Sequence, residues 1–411
     1  MSEVGGVGGE KMARSSVRDA DLLFEGQCPV NNRLLIVPTG LTLFAPGSQS
    51  STFRARFRLI SVANVVEITP IDFITQVPMD IANRLLRGFV GNSPVTGAHP
   101  LDLLVAGMSR GSKMFSRGWG EESLLAELST RVSYSDPPPP VSVEWHAARK
   151  RGRIVRRDGM FTSPLELLPK ETRTAHVRAW LREGNRAACV ILAGSRDEGY
   201  RPREHVFGPL IARGLDLYFL VSPFYGRRRL AGGPSLITVS DHGLMALGMV
   251  LEARALLENL SERYPKLVVA GYSMGGHMAA ITAAVCPFSV ACAALATGAS
   301  ASSIYTRGLL SWSVDLDALG GGANLRAATR ERLQRVFDVA DITRYPPPIR
   351  VDAAVIAGCT RDGYVLSSET ARLHQHWHGS TLRWIPAGHF SALVTSGAVL
   401  RDCVADAIGK L

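Results

Sequence analysis

The residues best suited to chemistry in this sequence are Gly271-Tyr272-Ser273-Met274-Gly275, a serine with a glycine two positions before it and another two positions after it. An apolar run, residues 267–270, precedes the serine, and residues able to start a helix follow it. This is the context of a nucleophile elbow, where a strained turn exposes the hydroxyl and glycines avoid a clash with neighbouring main chain. We therefore predict that Ser273 is a nucleophile, with the backbone N–H of Met274 as one oxyanion donor.

A serine nucleophile needs a general base, and the base needs an acid that fixes its tautomer. Asp362 follows the apolar stretch 353–357, and His389 follows the later apolar stretch 381–385. If both stretches are parallel strands, the two side chains lie past the C-terminal ends of their strands, at the same sheet edge as Ser273. Ser, Asp and His follow one another along the chain as they do in α/β-hydrolases. The order predicts a catalytic triad of Ser273, Asp362 and His389.

The second oxyanion donor and the histidines outside the triad are the remaining polar groups to assign. The loop after the apolar stretch 187–193 is expected to supply the second oxyanion donor, the backbone N–H of either Ser195 or Arg196. His277, on the helix after Ser273, is expected either to pack in the fold or to support the catalytic residues without touching substrate. His374, His376 and His378 do not share one helical face, so their spacing predicts no metal site. No cofactor is predicted.

The elements that must position these residues alternate between apolar strands and helical stretches, which is typical of a parallel sheet. Residues 278–299 form an uncharged run of membrane-span length, but Pro287 interrupts it, and we interpret it as the elbow helix followed by a buried strand. The predicted fold class is an α/β-hydrolase fold, with a mostly parallel central sheet flanked by helices and a short cap insertion at about 303–350. Strands are predicted at 153–156, 187–193, 215–221, 267–270, 290–296, 353–357 and 381–385, and helices at 206–213, at 241–260 and from about 391.

The cap insertion leaves two alternatives open. Residues 324–340 predict a helix with an apolar stripe of Leu325, Ala328, Leu333, Val336 and Phe337. The favoured alternative is a cap helix packed on the core, and the other is a lid that opens onto lipid, with Arg326, Arg330 and Arg332 facing phosphates. Candidate substrate-binding residues are Arg227, Arg228 and Trp312, although a solvated surface run explains the two arginines equally well.

Composition limits the remaining possibilities. The chain has 411 residues and a net charge of +10, which would suit peripheral contact with an anionic membrane, but no nucleic-acid-binding motif is present and no nucleic-acid partner is predicted. The six cysteines lack zinc or redox spacing and indicate reduced thiols in an intracellular protein. Residues 1–100 are expected to be an N-terminal extension of unknown structure, either partly disordered or an artefact of the assigned gene start, with strand-like pieces at 33–37 and 57–60. Residues 101–411 are expected to form the hydrolase domain.

Several short stretches are shared with a known family: Ser116-Arg117-Gly118-Trp119-Gly120, Asp158-Gly159 with Phe161 and Ser163-Pro164, Leu192-Ala193-Gly194, Pro223-Phe224-Tyr225-Gly226, Ser273-Met274-Gly275-Gly276-His277-Met278-Ala279, Asp362-Gly363-Tyr364 and Gly388-His389. By these stretches the chain resembles the alpha/beta hydrolase domain-containing protein 18 family, most of all its plant and algal members, over residues 101–411. The sequence departs from the animal relatives after Gly194, where Thr-Gly-Asp-His is replaced by Ser195-Arg196-Asp197-Glu198.

The resemblance implies a serine hydrolase with the triad Ser273, Asp362 and His389, a membrane-lipid acyl ester as substrate, and a mitochondrial location. The residues and the resemblance together predict cleavage of a carboxylic ester through an acyl-enzyme. Two alternatives remain at this point. One is a catalytically silent α/β-hydrolase that acts as a binding or scaffold protein, and the other is an acyltransferase or thioesterase with the same triad.

Overall fold

A computed structural model describes residues 93–131, 138–230 and 237–411, together with four short strands nearer the N-terminus. The chain divides into two units, Met1–Thr69 and Pro70–Leu411. In the first unit, strands β1 (Phe24–Gln27), β2 (Ile36–Val37), β3 (Leu41–Phe44) and β4 (Thr52–Arg56) pair antiparallel in the order β1-β4-β3-β2. The strand β2 falls within the predicted piece 33–37, whereas the predicted piece 57–60 lies outside the described residues.

The second unit is built on one large sheet. Its strands are β5 (Glu144–Trp145), β6 (Arg149–Arg151), β7 (Ile154–Thr162), β8 (Thr174–Arg182), β9 (Ala187–Leu192), β10 (Leu215–Leu220), β11 (Lys266–Tyr272), β12 (Ala291–Leu295), β13 (Ala354–Cys359) and β14 (Thr381–Ile385). They lie in the order β14-β13-β12-β11-β9-β10-β8-β7-β5, with β6 paired to β7. Neighbours from β14 to β10 are parallel, and the pairs on the β8 side are antiparallel. The mostly parallel sheet of the α/β-hydrolase fold is confirmed.

Helices cover both faces of the sheet, which is why β10, β12 and β13 are buried along their whole length. The helices are α1 (Pro100–Ser109), α2 (Glu122–Arg131), α3 (Arg201–Phe207), α4 (Val239–Ser261), α5 (Met274–Val285), α6 (Ser302–Thr306), α7 (Arg326–Phe337), α8 (Ser367–His376), α9 (His389–Thr395) and α10 (Gly397–Gly409). Helices α4 and α5 pack into the apolar core on one face, and α3 and α10 pack into the core on the other. The uncharged run 278–299 contains most of α5 followed by β12, as predicted.

The strand order reverses between β9 and β11. In the sheet, β9 lies between β10 and β11. The chain runs from β9 to β10 on one side of β9, then crosses back to β11 on the other side, and β12 continues in that second direction. The chain therefore leaves β9 and β11 toward opposite sides, and in open α/β sheets the carboxyl edge at such a reversal is the usual ligand position.

The cap is the helical insertion between β12 and β13. Leu333 and Phe337 of α7 are buried in an apolar cluster with Phe115 and Tyr305, so the cap helix packs on the domain, which is the favoured alternative. The predicted stripe was wrong at its N-terminal end. Leu325 is 57% exposed, Ala328 is exposed, and Thr329 takes the buried position.

Two of the three arginines suggested for a lipid-facing lid have carboxylate partners. Arg326 contacts Asp317 at 2.9 Å. Arg332 contacts Glu122 at 2.5 Å, and its guanidinium lies 4.0 Å from the centre of the Trp119 ring. These exposed contacts join the cap helix to its own insertion and to α2.

The prediction that Arg228 binds substrate was wrong, because its side chain is buried. The guanidinium donates to both carboxylate oxygens of Glu252 on α4, at 2.6 and 2.8 Å, and to the carbonyls of Thr172 and Val221. The side chains of Arg228 and Glu252 are 1% and 0% exposed. A buried pair of this kind needs every donor matched, because each charge has lost its hydration. Arg228 therefore joins the loop after β10 to α4.

Removing one partner of the buried pair is expected to destabilise the fold strongly. Glu252→Gln leaves the guanidinium buried without its counter-charge and should lower the free energy of unfolding by about 3–5 kcal/mol. Urea unfolding followed by far-UV circular dichroism measures the loss. The matched control is Glu331→Gln, which breaks the exposed pair with Arg335 and should cost less than about 1 kcal/mol. Equal losses in the two variants would contradict the structural role of Arg228.

Candidate active site

The turn between β11 and α5 holds Ser273 in a conformation that side-chain-bearing residues rarely adopt, with φ of 58° and ψ of −122°. Glycines make this turn possible. A β-carbon on Gly271 would lie 2.2 Å from the carbonyl of Gly275, and one on Gly275 would lie 2.5 Å from the carbonyl oxygen of Leu192. Because both obstacles are main-chain atoms, no side-chain movement could relieve them. The serine therefore lies at the N-terminus of α5, beside the end of β9.

The structure brings the three predicted triad residues together. The Ser273 hydroxyl lies 2.8 Å from Nε2 of His389, and Nδ1 of the same ring lies 2.7 Å from Oδ2 of Asp362. Because an ionised carboxylate only accepts hydrogen bonds, Nδ1 carries the ring proton and Nε2 is free to accept from the serine. This hydrogen-bond sequence is the one in which a histidine acts as general base toward a hydroxyl.

The acid and the base are each held by main-chain contacts. Oδ1 of Asp362 accepts the backbone N–H groups of Tyr364 and Val365, both at 2.8 Å, which turns Oδ2 toward the imidazole. The hydroxyl of Tyr272 donates to the carbonyl of His389. Asp362 and His389 are buried, whereas Ser273 is partly exposed. The nucleophile is thus open to a substrate while its partners are shielded.

Two opposing effects act on the pKa of His389. Burial of the ring disfavours the charged imidazolium and lowers the pKa, but the negative charge and hydrogen bond of Asp362 raise it, and the nearby charge of Asp102 raises it further. The result is a pKa above the ordinary histidine value. A raised pKa suits a residue that must accept the proton of a serine hydroxyl.

The predicted oxyanion donors lie on α5 and on the loop after β9. Met274 is the first residue of α5, where backbone N–H groups have no partner within the helix. The N–H of Arg196 instead donates to the hydroxyl of Tyr225 at 3.2 Å. Of the two alternatives for the second donor, Arg196 has this partner for its N–H, which leaves Ser195 as the candidate.

The other predicted binding residues are Trp312 and Arg227, and neither has a described hydrogen bond to the triad. Trp312 packs with Tyr364, whose ring centre is 5.2 Å from that of His389, and the Arg110 guanidinium covers its indole at 3.9 Å. Arg227 is exposed and lies in the loop after β10. Arg227 lies close enough to β8 for its charge to act on His176. Burial lowers the pKa of that histidine, and the charges of Arg228 and Arg227 lower it further.

Three of the other histidines singled out in the sequence bond to neighbouring groups, and the fourth, His378, is exposed. Both ring nitrogens of His277 contact backbone carbonyls, of Gly298 and of Ala340, so the ring joins α5 to the loop after β12 and to the cap insertion. His374 and His376 bond to the Ser380 hydroxyl and the Tyr345 carbonyl. Across the described ranges, no group of three or more His, Cys, Asp and Glu side chains could hold a metal ion. Within those same ranges, none of the helices has both the length and the apolar character that a membrane span requires.

Sequence reasoning missed one charged group beside the triad, Asp102 on α1. It is fully buried and accepts backbone N–H groups from the loops that hold Asp362 and His389. One signal was present in the sequence, since Asp102 is the only charged residue in the otherwise apolar stretch 101–108. An acidic residue in the first turn of a helix is so common that the signal points to no particular partner.

Comparison with known families gives one extended match. The sequence model described as alpha/beta hydrolase domain containing 18 matches residues 112–324 and 320–410, and these segments contain Ser273, Asp362 and His389.

Solved structures with a similar chain path are distant in sequence. An acetyl xylan esterase from Paenibacillus sp. R4 is 14% identical, with a TM-score of 0.49 over 72% of this chain and 98% of that one. Acetyl xylan esterase 1 from Thermoanaerobacterium sp. JW/SL YS485 is 15% identical, with a TM-score of 0.44 over 71% and 98%. An α/β serine hydrolase without a lid from Xanthomonas campestris is 13% identical, with a TM-score of 0.38 over 65% and 95%. These identities are too low for any of their activities to be transferred to this chain.

The electrostatics of the site predict how His389 titrates. Its imidazole should gain a proton at a pH above the ordinary histidine value of about 6.5, because Asp362 stabilises the charged ring. Asp362→Asn removes that charge and should lower the pKa. Proton NMR of the ring Nδ1–H across pH measures both values, and His389→Gln assigns the resonance. A wild-type pKa below 6.5, or one that Asp362→Asn leaves unchanged, would contradict this electrostatic account.

Proposed function

We propose that this chain, which belongs to the alpha/beta hydrolase domain containing 18 family and is a hydrolase of the α/β type, cleaves carboxylic esters with Ser273 as its nucleophile. The observation that carries the proposal is the continuous hydrogen-bond sequence from the Ser273 hydroxyl through His389 to Asp362. Serine hydroxyls are poor nucleophiles unless a base removes their proton, and this arrangement supplies that base at 2.8 Å.

In the acylation step, Oγ of Ser273 attacks the ester carbonyl carbon while its proton moves to Nε2 of His389. The carbonyl oxygen becomes an oxyanion, which the backbone N–H groups of Met274 and Ser195 stabilise. The bond to the alcohol then breaks, and the alcohol leaves with the proton that His389 held. Asp362 keeps the imidazole in the required tautomer and stabilises its positive charge. The product of this step is an acyl group on Ser273.

In the deacylation step, water takes the place of the alcohol. His389 removes a proton from the water as it attacks the acyl carbon, and the same oxyanion donors act again. The bond to Ser273 breaks, Oγ recovers its proton from His389, and the carboxylic acid leaves. The partial exposure of Ser273 supports this step, because water must reach the acyl carbon.

The substrate we propose is an acyl ester of a membrane lipid. The net charge of +10 supports association with an anionic surface. Arg196 supports the same substrate class locally, because it is exposed, follows Ser195, and reaches only the hydroxyls of Ser109 and Ser112, at 3.4 Å, in the described contacts. The net positive charge of the chain would attract an anionic membrane, and the local charge of Arg196 would attract an anionic lipid toward Ser273.

The first prediction from this proposal concerns turnover. Wild-type protein should hydrolyse p-nitrophenyl acetate, and Ser273→Ala should lower kcat by about 10⁴-fold or more because no alternative nucleophile is present in the triad. Acid quenching during turnover, followed by peptide mass spectrometry, should find the acetyl group on Ser273. The exposed serine variant Ser123→Ala serves as the control and should retain wild-type rates. Full activity in Ser273→Ala would refute the mechanism, and a folded wild type without turnover would favour a binding protein.

The second prediction concerns the lipid. Fatty-acid release should be faster from phosphatidylglycerol vesicles than from phosphatidylcholine vesicles with the same acyl chains, and added salt should narrow the difference because it screens the attraction. Quantified free fatty acid, compared with Ser273→Ala on each vesicle, measures the rates. Equal rates on the two surfaces, or a difference that salt does not affect, would contradict the proposed attraction.

A further inference from the structure

A buried carboxylate joins the two loops that hold the acid and the base of the triad. Oδ2 of Asp102 accepts the backbone N–H of Gly363 at 2.9 Å and that of His389 at 2.8 Å, and Oδ1 accepts the N–H of Phe390 at 3.0 Å. Gly363 directly follows Asp362, and the other two donors are His389 itself and the residue after it. Asp102 is 0% exposed, so these contacts replace all of its hydration.

The three contacts also indicate that Asp102 is ionised. All of them are N–H donors, which stabilise the charged form of the carboxyl, while burial and the charge of Asp362 raise its pKa. Three matched donors are what a buried carboxylate requires, because an unmatched charge away from water is very costly. Asp102 is therefore a second negative charge beside the triad, in addition to Asp362.

The position of Asp102 in α1 does not explain these contacts. An acid in the first turn of a helix ordinarily interacts with the free N–H groups of its own helix. Here the side chain of His99 accepts the N–H of Leu101, while the carboxylate of Asp102 points to the other two loops. The fit is close at Gly388, where a β-carbon would lie 2.8 and 2.9 Å from the two carboxylate oxygens and 2.3 Å from the β-carbon of His99.

We propose that Asp102 is a positioning residue for the hydrolytic reaction: it fixes the His389 loop against the Asp362 loop and favours the imidazolium that forms when Ser273 loses its proton. This inference rests on the proposed function. Asp102 touches no reacting atom and acts through the backbone of the histidine and through its charge. The distance between Nδ1 of His389 and Oδ2 of Asp362 then depends on a residue more than 250 positions earlier in the chain.

The charge of Asp102 acts on a small set of groups. Burial lowers the pKa of His389. Asp362, through its charge and its hydrogen bond, and Asp102, through its charge, raise it. Among the residues that the structure describes, the titratable and charged groups around these two are Asp362 and Tyr364 from the loop after β13, Tyr272 from β11, Cys359 from β13, His99 with its neighbouring charge Arg361, and Arg196, which acts on Tyr364. Loss of the Asp102 charge should therefore lower the pKa of His389.

The test is Asp102→Asn, which keeps the volume of the side chain but removes its charge and one acceptor. We expect kcat for p-nitrophenyl acetate to fall by about 10–100-fold, because an N–H that bonded to a charged group is left unmatched, with KM changed by less than about threefold. The acidic limb of the profile of kcat/KM against pH should move to lower pH, because His389 then stays deprotonated at lower pH. Asp102→Ser should move it in the same direction.

The matched control is Asp216→Asn. Asp216 is also a buried carboxylate and accepts the N–H of Arg182 at 2.9 Å and the hydroxyl of Tyr264, but it lies near the start of β10, at the opposite edge of the sheet. This variant should lose stability while its acidic limb stays at the wild-type pH. The midpoint of the limb does not depend on the fraction of folded enzyme where that fraction is constant across the pH range, which far-UV circular dichroism at each pH verifies for every variant.

Two outcomes would overturn the inference. One is an acidic limb in Asp102→Asn at the wild-type pH, and the other is an equal shift in Asp216→Asn. If the wild type hydrolyses no ester, the proposed function fails separately, and the pKa of His389 from NMR decides this inference. A lower pKa in Asp102→Asn than in the wild type supports the charge effect, and an unchanged pKa overturns it.

Discussion

The site depends on a steric constraint at the end of β11, where main chain packs against main chain without room for a β-carbon. Gly275 contacts the end of β9, and Gly276 contacts the end of β12, where a β-carbon would lie 2.6 Å from the carbonyl oxygen of Leu295. The first residues of α5 are thereby fixed between two neighbouring strands. Ser273 takes its strained conformation as a consequence, and its hydroxyl points out of the sheet edge. A strained serine persists only where the surrounding structure determines it in this way.

Parallel strands bring the other groups to the same edge. The loops after β9, β11, β13 and β14 all begin at the carboxyl ends of parallel strands. Residues nearly 200 positions apart in the chain therefore meet at one edge of the sheet. The loops themselves are held by buried hydrogen bonds: two backbone N–H groups orient Asp362, and Tyr272 and Asp102 hold the backbone of His389. The sheet determines where the three residues meet, and these contacts determine the angles at which they meet.

Much of this arrangement could be predicted from local sequence. Apolar runs end at Tyr272, Cys359 and Ile385, and the residues beyond them include Ser273, Asp362 and His389, so strand prediction alone brings the three to one edge. The predicted strand bounds lie close to those observed for β9 to β14, because uninterrupted apolar runs leave few alternatives. The structure of residues 57–60 stays a prediction, since they lie outside the described part of the chain.

The errors share a physical origin. Arg228 and Arg227 are neighbours of the same type, yet one side chain is buried against Glu252 and the other is exposed, because only the tertiary packing of α4 decides which of them has a partner. The cap stripe failed at Leu325 because the end of a short helix need not contact the core. Asp102 was missed because its three partners are 261 to 288 residues away, beyond any local pattern.

The central claim is that Ser273 is an activated nucleophile, and covalent labelling by a fluorophosphonate tests it most directly. The wild-type protein should form one adduct, mapped to Ser273 by peptide mass spectrometry, and His389→Ala should slow its formation because the base is gone. Circular dichroism should show both proteins folded. A folded wild type that forms no adduct, or an adduct on a residue other than Ser273, would contradict the account.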